Sequence, residues 1–362
     1  MQKTKKLFLI FISIFLVSQN IDAADSVDTV APQKPKFIYR IDNLTYFDNR
    51  MFYLPYHPSK MFLGDRLTAL AGIGLKKEHK LYAGLTAMIP FGSDYKSYKF
   101  QPMVYYRFEQ ALNDKQNLKL HFGILPCREM ETSLPGFMRR GSAEYTIPNL
   151  QGTLAQYQLK INDKNTLSLE YAFDWRKVKS KTDRDNYGMI LAGKLANNGM
   201  LNVGFIAQWD RLGYNLDTIK NNCDNVVYNV YAKVDFAKFT KNFKSIFLQA
   251  GYVGSFSNDS AFVNKSWCNA IMIDCGIQWK MISLTNSLYM SINKGNLMPL
   301  FEYSKDVYVS DQFYKASLYN KTALSFDVFN KSVFSLKAQF LMHVVPEYKI
   351  GWQQKITAQV KF

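Results

Sequence analysis

The last fourteen residues of the chain alternate between apolar and polar side chains. The polar positions of this segment, residues 349–362, are mainly Lys, Gln and Thr. Its apolar positions are Ile350, Trp352, Ile356, Ala358, Val360 and Phe362. Alternation with a period of two is typical of a β-strand that buries one face in apolar surroundings. We therefore predict a strand that ends on the terminal aromatic residue.

The same alternation recurs along most of the chain. Near residue 201, for example, Leu201, Val203 and Phe205 alternate with polar or small residues. The pattern predicts sixteen strands, most of them about ten to twelve residues long. They begin near residues 37, 66, 79, 98, 117, 152, 166, 186, 200, 225, 245, 270, 282, 314, 333 and 348. The predicted fold class is all-β.

The predicted connections alternate in length along the chain. The short ones follow even-numbered strands, at 77–80, 112–116, 162–165, 196–199, 236–243, near 281 and at 330–332. The long ones follow odd-numbered strands, at 48–65, 90–97, 126–151, 176–185, 210–224, 255–268 and 294–312, and only the last odd-numbered connection, Pro346-Glu347, is brief. A soluble sandwich has no reason to place all long loops at one end. A transmembrane antiparallel up-and-down barrel does, with short periplasmic turns and long external loops.

Backbone hydrogen bonding explains why such strands would close into a barrel. In hydrocarbon every N–H and C=O group needs a partner, so a sheet spans a bilayer only as a closed structure. One apolar and one polar face per strand also accounts for the modest mean hydropathy of −0.19. The aromatic residues near strand ends would form interfacial girdles. The alternative is ordinary packing in the core of a soluble β-domain.

The N-terminus has the pattern of a secretory signal peptide. Lys3, Lys5 and Lys6 precede the uncharged apolar run Leu7–Val17, and small residues around Ala23 mark a cleavage point. The run is too short to cross a bilayer as a helix. We predict a cleaved signal peptide at residues 1–23 and a barrel at residues 24–362. The alternative is a buried N-terminal helix.

The predicted export changes which partners the positive net charge of the chain suggests. The formal net charge is +16, from 45 Lys and Arg against 29 Asp and Glu. Basic, aromatic-rich chains are candidates for nucleic-acid binding, but an exported protein rarely meets nucleic acid, so we expect no such partner. Four cysteines are too few for a disulfide scaffold. Cys127, Cys223 and Cys268 fall in predicted long loops, where a pair is one open possibility, and Cys275 is predicted to face lipid.

A signal peptide, sixteen amphipathic strands and a terminal Phe together resemble the porin class of Gram-negative outer-membrane β-barrels. The resemblance is one of architecture and covers nearly the whole mature chain. It implies an outer-membrane location. It also implies that the last strand, with Phe362 at its end, is read by the barrel-assembly machinery. Other implied partners are membrane lipid, lipopolysaccharide and small solutes, and the resemblance allows a homo-oligomer.

In porins the third external loop usually folds into the barrel and narrows it. The matching segment here is Pro126–Gln151. The residues that the resemblance assigns to a pore constriction are Arg128, Glu131, Arg139, Arg140 and Glu144. Facing basic and acidic groups there would set a transverse field that influences ion preference. The alternatives are a solvated external loop and a plug.

Strand parity assigns further charged residues to the lumen. The predicted lumen-lining residues are Lys99, Arg107, Lys119, Glu170, Asp174, Lys337 and Lys355. Bases outnumber acids at the predicted inward positions, so our hypothesis is an anion preference. Alternatively, much of the basic excess lies on outer loops such as 176–185, where it meets lipopolysaccharide phosphates.

Three function classes remain at this stage. The first is a passive channel for small solutes or ions, which needs no cofactor and no metal. The second is a plugged or structural barrel that serves as a subunit of a larger uptake, secretion or adhesion assembly. The third is an enzyme, which we do not expect because no GxSxG motif or acidic pair accompanies the histidines. They are His57, His79, His121 and His343.

Overall fold

The computed structural model describes residues 35–362, apart from residues 55–56, 76, 93–96, 140–142, 178–185, 198–199, 217–218, 241, 260–263, 293–311 and 347–349. The predicted signal peptide lies outside the described residues, so it stays a prediction.

Sixteen antiparallel strands form one closed barrel in the described part of the chain. Each strand pairs with its neighbours in sequence, and β16 closes the barrel on β1, from Asp42 opposite Lys361 to Met51 opposite Trp352. The predicted sixteen-stranded up-and-down barrel is therefore confirmed. The strands are β1 (Lys36–Leu54), β2 (His57–Gly74), β3 (His79–Pro90), β4 (Lys99–Asn113), β5 (Gln116–Pro126), β6 (Asn149–Lys160), β7 (Asn165–Lys177), β8 (Asn186–Asn197), β9 (Leu201–Leu216), β10 (Ile219–Asp235), β11 (Ser245–Asp259), β12 (Asn264–Trp279), β13 (Ile282–Ser291), β14 (Leu318–Asn330), β15 (Phe334–Val344) and β16 (Gly351–Lys361).

The two faces of β4 show why the alternation produces a barrel. Phe100 and Val104 point outward and are 60% and 55% exposed, whereas Met103 and Tyr105 point inward and are almost fully buried. Successive side chains of a strand point to opposite faces, so one face can contact lipid while the other contacts the interior. The alternating pattern in the sequence thus corresponds to the outside and the inside of the wall.

Short turns gather at one end of the barrel, which we call the turn end. There Lys280 and Met281 join β12 to β13, with Trp279 paired to Ile282. Lys280 adopts a left-handed backbone with φ of 49°, as a two-residue hairpin turn requires. The C-terminus lies at this end as well, because the Phe362 backbone N–H donates to the Ile41 carbonyl at 2.8 Å.

Three of the predicted long loops are wrong in extent, namely 48–65, 210–224 and 255–268. The strands instead stay paired as far as Leu54 opposite His57, Leu216 opposite Ile219, and Asp259 opposite Asn264. The prediction ended each of these strands too early because charged and polar residues interrupt the apolar alternation there. The backbone hydrogen bonds of the antiparallel pairs nevertheless continue to the last paired residues.

The connection between β5 and β6, residues 127–148, folds inward, and we call it the inner loop. It contains a 3₁₀ turn, Cys127–Glu129, and a short helix, α1 (Ala143–Thr146). Side chains from its middle section belong to the buried core. Among the described residues, no helix is both long and apolar enough to span a bilayer.

A second inward segment precedes β14, and the prediction of a strand start near residue 314 is wrong. Residues Gln312–Lys315 form a 3₁₀ turn, which we call the inner turn, and β14 begins at Leu318. Phe313 and Tyr314 are adjacent and both buried. A strand would place adjacent side chains on opposite faces, so these two residues favour a turn.

Two of the four cysteines occupy other positions than predicted. Cys223 lies in β10 and Cys268 in β12, both buried on the inner face and not in external loops. None of the four cysteines forms a disulfide, and Cys275 is exposed on the outer face of β12. The extension of β10 and β12 beyond the predicted boundaries moved both residues from loop to strand.

Candidate functional site

The inner loop is attached to the barrel wall by charged residues at its start. The 3₁₀ turn directs Arg128 toward the wall, where it donates to the buried carboxylate of Asp42 in β1. The next residue, Glu129, accepts a hydrogen bond of 2.5 Å from Arg40 and lies 3.7 Å from Arg107. Adjacent residues of opposite charge therefore contact wall residues of the complementary charges.

Burial affects the guanidinium of Arg128. Desolvation and the neighbouring Arg40 lower its pKa, and Glu129 opposes this effect. A guanidinium does not lose its proton in proteins, so Arg128 remains a cation at neutral pH. Its side chain is 29% exposed and that of Arg40 is 39% exposed, whereas Asp42 is only 1% exposed. The solvent-facing side of this cluster is therefore basic.

Backbone amides of the inner loop bind a wall carboxylate. The N–H groups of Glu131 and Thr132 donate to the two Glu170 oxygens at 2.7 and 3.1 Å. Gln156 donates to Glu170 at 2.7 Å and to the Glu129 carbonyl at 2.8 Å. Glu170, predicted to line the lumen, is buried beneath the loop. It anchors the loop and has little contact with solvent.

Glu131 is the acidic residue of this region that contacts solvent most. Its side chain is 51% exposed and pairs with Lys119 of β5 at 3.0 Å. Of the predicted constriction residues, Arg128 and Glu131 thus both belong to the start of the inner loop, which we call the charged root (residues 127–132). They present opposite charges, each already balanced in part by a wall residue.

Aromatic contacts hold the later part of the inner loop. Tyr145 of α1 donates to Asp48, accepts from Arg50 at 3.2 Å and stacks on Tyr46 with ring centroids 4.3 Å apart. Burial raises the pKa of the Tyr145 hydroxyl. Lys355 of β16, predicted to line the lumen, lies 5.7 Å from the centre of this ring. We call residues 136–139 and 143–146 the aromatic section.

The other predicted constriction residues have different surroundings. Arg139 donates to the Ile147 carbonyl at 2.8 Å and so connects two parts of the loop. Glu144 belongs to α1, and its side chain lies outside the described part of the structure, as does the whole of Arg140. The described geometry therefore places Arg128 and Glu131 on the same short segment, paired with different wall strands, and assigns Arg139 to the loop's own structure.

Comparison with known proteins identifies the architecture. No protein-family model matches the chain, and no curated protein matches it. Among solved structures, the loop L8 deletion mutant of OmpT, an outer membrane protein of Vibrio cholerae, has a TM-score of 0.51 at 9% identity, covering 91% of this chain and 99% of that one. The anion-selective porin from Comamonas acidovorans has a TM-score of 0.50 at 12% identity, covering 91% and 100%. OprB of Pseudomonas putida has a TM-score of 0.50 at 9% identity, covering 90% and 94%.

The chain has a porin-like outer-membrane barrel fold. Sequence identities this low establish the fold alone. The roles of the lumen residues therefore have to follow from the structure of this chain. In this porin-like barrel, Arg107 pairs with Glu109 at 2.7 Å. Asp174 pairs at 3.0 Å with Arg176, which also contacts Asp210. Arg176, assigned by the sequence to an outer loop, belongs to β7.

The remaining predicted lumen residues lie in two strands far apart along the chain. Lys99 begins β4 on the same face as Met103 and is exposed. Lys337 lies in β15 opposite Asp327 of β14. Neither contacts the inner loop in the described geometry.

The charged residues of β1 and β2 were not predicted as site residues from the sequence. They are Arg40, Asp42, Asp48, Arg50 and Arg66, and every one of them except Arg40 is buried. The signal was present in β1, where Arg40, Asp42, Asp48 and Arg50 all occupy even positions on the inner face. The predicted loop at 48–65 concealed Asp48 and Arg50, whereas Arg40, Asp42 and Arg66 belong to predicted strands but were not assigned to the interior.

A cavity of about 680 Å³ lies at the turn end between β3 and β6. Its charged lining residues are Lys77, Lys80, Lys115, Lys160, Glu109 and Asp114. Glu109 is paired with Arg107 and with Lys80 at 3.5 Å. The inner wall from the charged root to the turn end is thus mainly basic. Among the described residues, no group of three or more potential ligands is arranged to hold a metal ion.

Proposed function

We propose that the protein is an outer-membrane channel for passive diffusion of small solutes or ions. The observation that supports this most directly is the charged root. It lies against the inner wall of a porin-like barrel, where Arg128 and Glu131 keep part of their side chains in contact with solvent. Passive transport needs a water-filled path and a charged narrowing, and it needs no catalytic residue.

We further propose that the channel prefers anions. Near the charged root, the partly exposed basic residues Arg40, Arg128 and Lys119 outnumber the exposed acid Glu131. The basic residues of the turn-end cavity add to this excess. Basic residues along a pore raise the local concentration of anions. One of the similar barrels is by its name an anion-selective porin, but the argument rests on this chain's own residues.

The location and partners belong to the same proposal. The signal peptide would be removed near Ala23, and the turn end would face the periplasm. The exposed Phe362 at the end of β16 would be the residue read by the barrel-assembly machinery. Apolar residues of the outer face would contact membrane lipid. Basic residues of the long loops, at the end of the barrel opposite the turn end, would contact lipopolysaccharide. A homo-oligomer is compatible with this proposal.

Planar bilayers test the proposal directly. Refolded protein should give stable conductance steps, and a salt gradient should give a reversal potential of the sign that an anion-preferring pore produces. A reversal potential of the opposite sign contradicts the anion preference but leaves the channel in place. Absence of any conductance from correctly folded, heat-modifiable protein contradicts the channel itself.

A plugged barrel is the second candidate, and one observation favours it. The aromatic section meets the inner turn inside the barrel, where Phe137 and Tyr314 are both buried. A barrel filled in this way would serve as a structural subunit of a larger uptake, secretion or adhesion assembly. It predicts no conductance by the isolated protein.

A further inference from the structure

Two separate segments of the chain meet inside the barrel. One is the aromatic section of the inner loop, and the other is the inner turn before β14. The Tyr314 ring lies edge-on to Phe137, with centroids 5.5 Å apart. A Cβ atom on Gly136 would lie 3.3 Å from the same ring. The small residue at position 136 therefore allows the Tyr314 ring to pack directly against the backbone of the inner loop.

The inner turn is itself held firmly by aromatic residues of the wall. Phe313 stacks on His343 at 4.4 Å and on Tyr319 at 5.0 Å, and it meets Phe52 edge-on at 4.8 Å. Phe313 and Tyr314 are 1% and 2% exposed. Close-packed aromatic rings in these arrangements allow little movement. The inner turn is thus a fixed surface against which the inner loop rests.

A chain of hydrogen bonds connects this surface with the other end of the aromatic section. The Tyr319 hydroxyl and His343 Nδ1 are 2.7 Å apart, and His343 Nε2 is 3.2 Å from the Gln353 amide oxygen. Gln353 donates at 2.7 Å to Asp48, the carboxylate that also binds Tyr145. The wall residues that support the inner turn therefore also support α1.

We infer that the inner turn is a brace for the inner loop, and that Phe313 and Tyr314 are positioning residues that set the width of the pore. The Tyr314 ring prevents the middle of the inner loop from moving toward β13 and β14. Without the ring, Phe137 would face a cavity, and the inner loop would lose its contact with the inner turn while keeping those of the charged root and of α1. This inference rests on the proposed function for its effect on conductance, and on the structure alone for its effect on loop motion.

Hydrogen exchange on folded full-length protein in detergent tests the brace. The Met138 and Arg139 N–H groups both donate to the Pro135 carbonyl at 2.9 Å, next to the contact with Tyr314. We expect Tyr314→Ala to speed exchange at these amides roughly tenfold. In the variant, opening of these hydrogen bonds no longer requires the contacts with the Tyr314 ring to be broken. Tyr314→Phe keeps the ring and should exchange like the unaltered protein.

The matched control is Tyr252→Ala, which removes an exposed tyrosine from the outer face of β11, far from the inner loop. It should leave the inner-loop amides unchanged. Equal exchange in Tyr314→Ala and Tyr252→Ala, in barrels that both stay heat-modifiable, would overturn the brace.

Single-channel recording supplies the functional readout. We expect Tyr314→Ala to change mean conductance by roughly twofold and to raise the open-channel current noise, because a mobile loop varies the pore cross-section. If the unaltered protein conducts and Tyr314→Ala has the same conductance and noise, the inferred control of pore width is wrong. If the unaltered protein is silent, the proposed function fails, and the exchange experiment alone decides on the brace.

Discussion

The two parts of the inner loop are fixed in place by different physical means. The charged root uses ion pairs and charge-assisted hydrogen bonds, in which Arg128 and Glu129 contact Asp42 and Arg40. The aromatic section uses packing, in which Phe137 and Tyr145 contact rings of the inner turn and of β1. The root thereby presents charge to the interior of the barrel, while the aromatic section packs the loop against the wall and the inner turn. Substitutions in the two parts should accordingly have separable effects.

The largest effect is expected from Asp42→Asn in the charged root. Asp42 is buried, pairs with Arg128, lies 3.7 Å from Arg66 and accepts from Gln359. Removing its charge weakens the buried pairing with Arg128 and with Arg66, and breaking a buried pair costs about 3 kcal/mol. The free energy of unfolding in urea measures this. Asp163→Asn, in an exposed turn, is the matched control, and an equal small loss in both variants would contradict the proposed role of Asp42.

Glu170→Gln should have a somewhat smaller and more local effect. An amide retains one acceptor oxygen for the N–H groups of Glu131 and Thr132 but loses the charge, at a cost of about 2 kcal/mol. Exchange at these two amides should accelerate, while the amides of Met138 and Arg139 stay as they are. Faster exchange throughout the loop would show that the two parts are not independent. Glu78→Gln, in a turn, serves as the control.

Tyr145→Phe tests the aromatic section from its other end. The substitution keeps the stacking on Tyr46 and removes the hydrogen bond to Asp48, which retains Arg50 and Gln353. We expect a loss of about 1 kcal/mol in unfolding free energy and an unchanged reversal potential. Tyr145→Ala, which also removes the stacking, should lose more. An equal loss in both variants would mean that the ring contributes nothing.

The smallest effects are expected on ion selectivity. Neutralising one exposed charge about 7 Å from a permeating ion in water changes its energy by roughly 0.6 kcal/mol, or about threefold in relative permeability. Glu131→Gln should therefore increase the preference for anions, and Arg40→Gln should decrease it. Reversal potentials in a salt gradient measure both. Shifts of the same sign in the two variants would contradict a role of these charges in selectivity.

Much of the barrel can be predicted from the local alternation of apolar and polar residues, whereas most contacts of the candidate site cannot. The strand starts near 79, 186, 245 and 282 agree with the structure, because each marks a change from a polar turn to an alternating segment. The outer ends of β1, β2 and β9 to β12 were not predicted, since charged and polar residues interrupt the apolar alternation there although the backbone pairing continues. Of the proposed constriction, Arg128 and Glu131 were found through the loop's position in the barrel. Their partners Asp42 and Glu170 are remote in sequence, and no local pattern connects them with the loop.

The amino-acid sequence by itself determined that the chain forms a sixteen-stranded barrel with an apolar outside. The reason is that side-chain alternation is a property of each strand alone, and closure follows from satisfying the backbone. Only the tertiary structure decided which charges meet in the interior, because Arg128 and Asp42 are 86 residues apart. It also placed the inner turn against the inner loop, where Tyr314 contacts Phe137. This contact depends on closure of the barrel, which arranges strands that are distant in sequence around one interior.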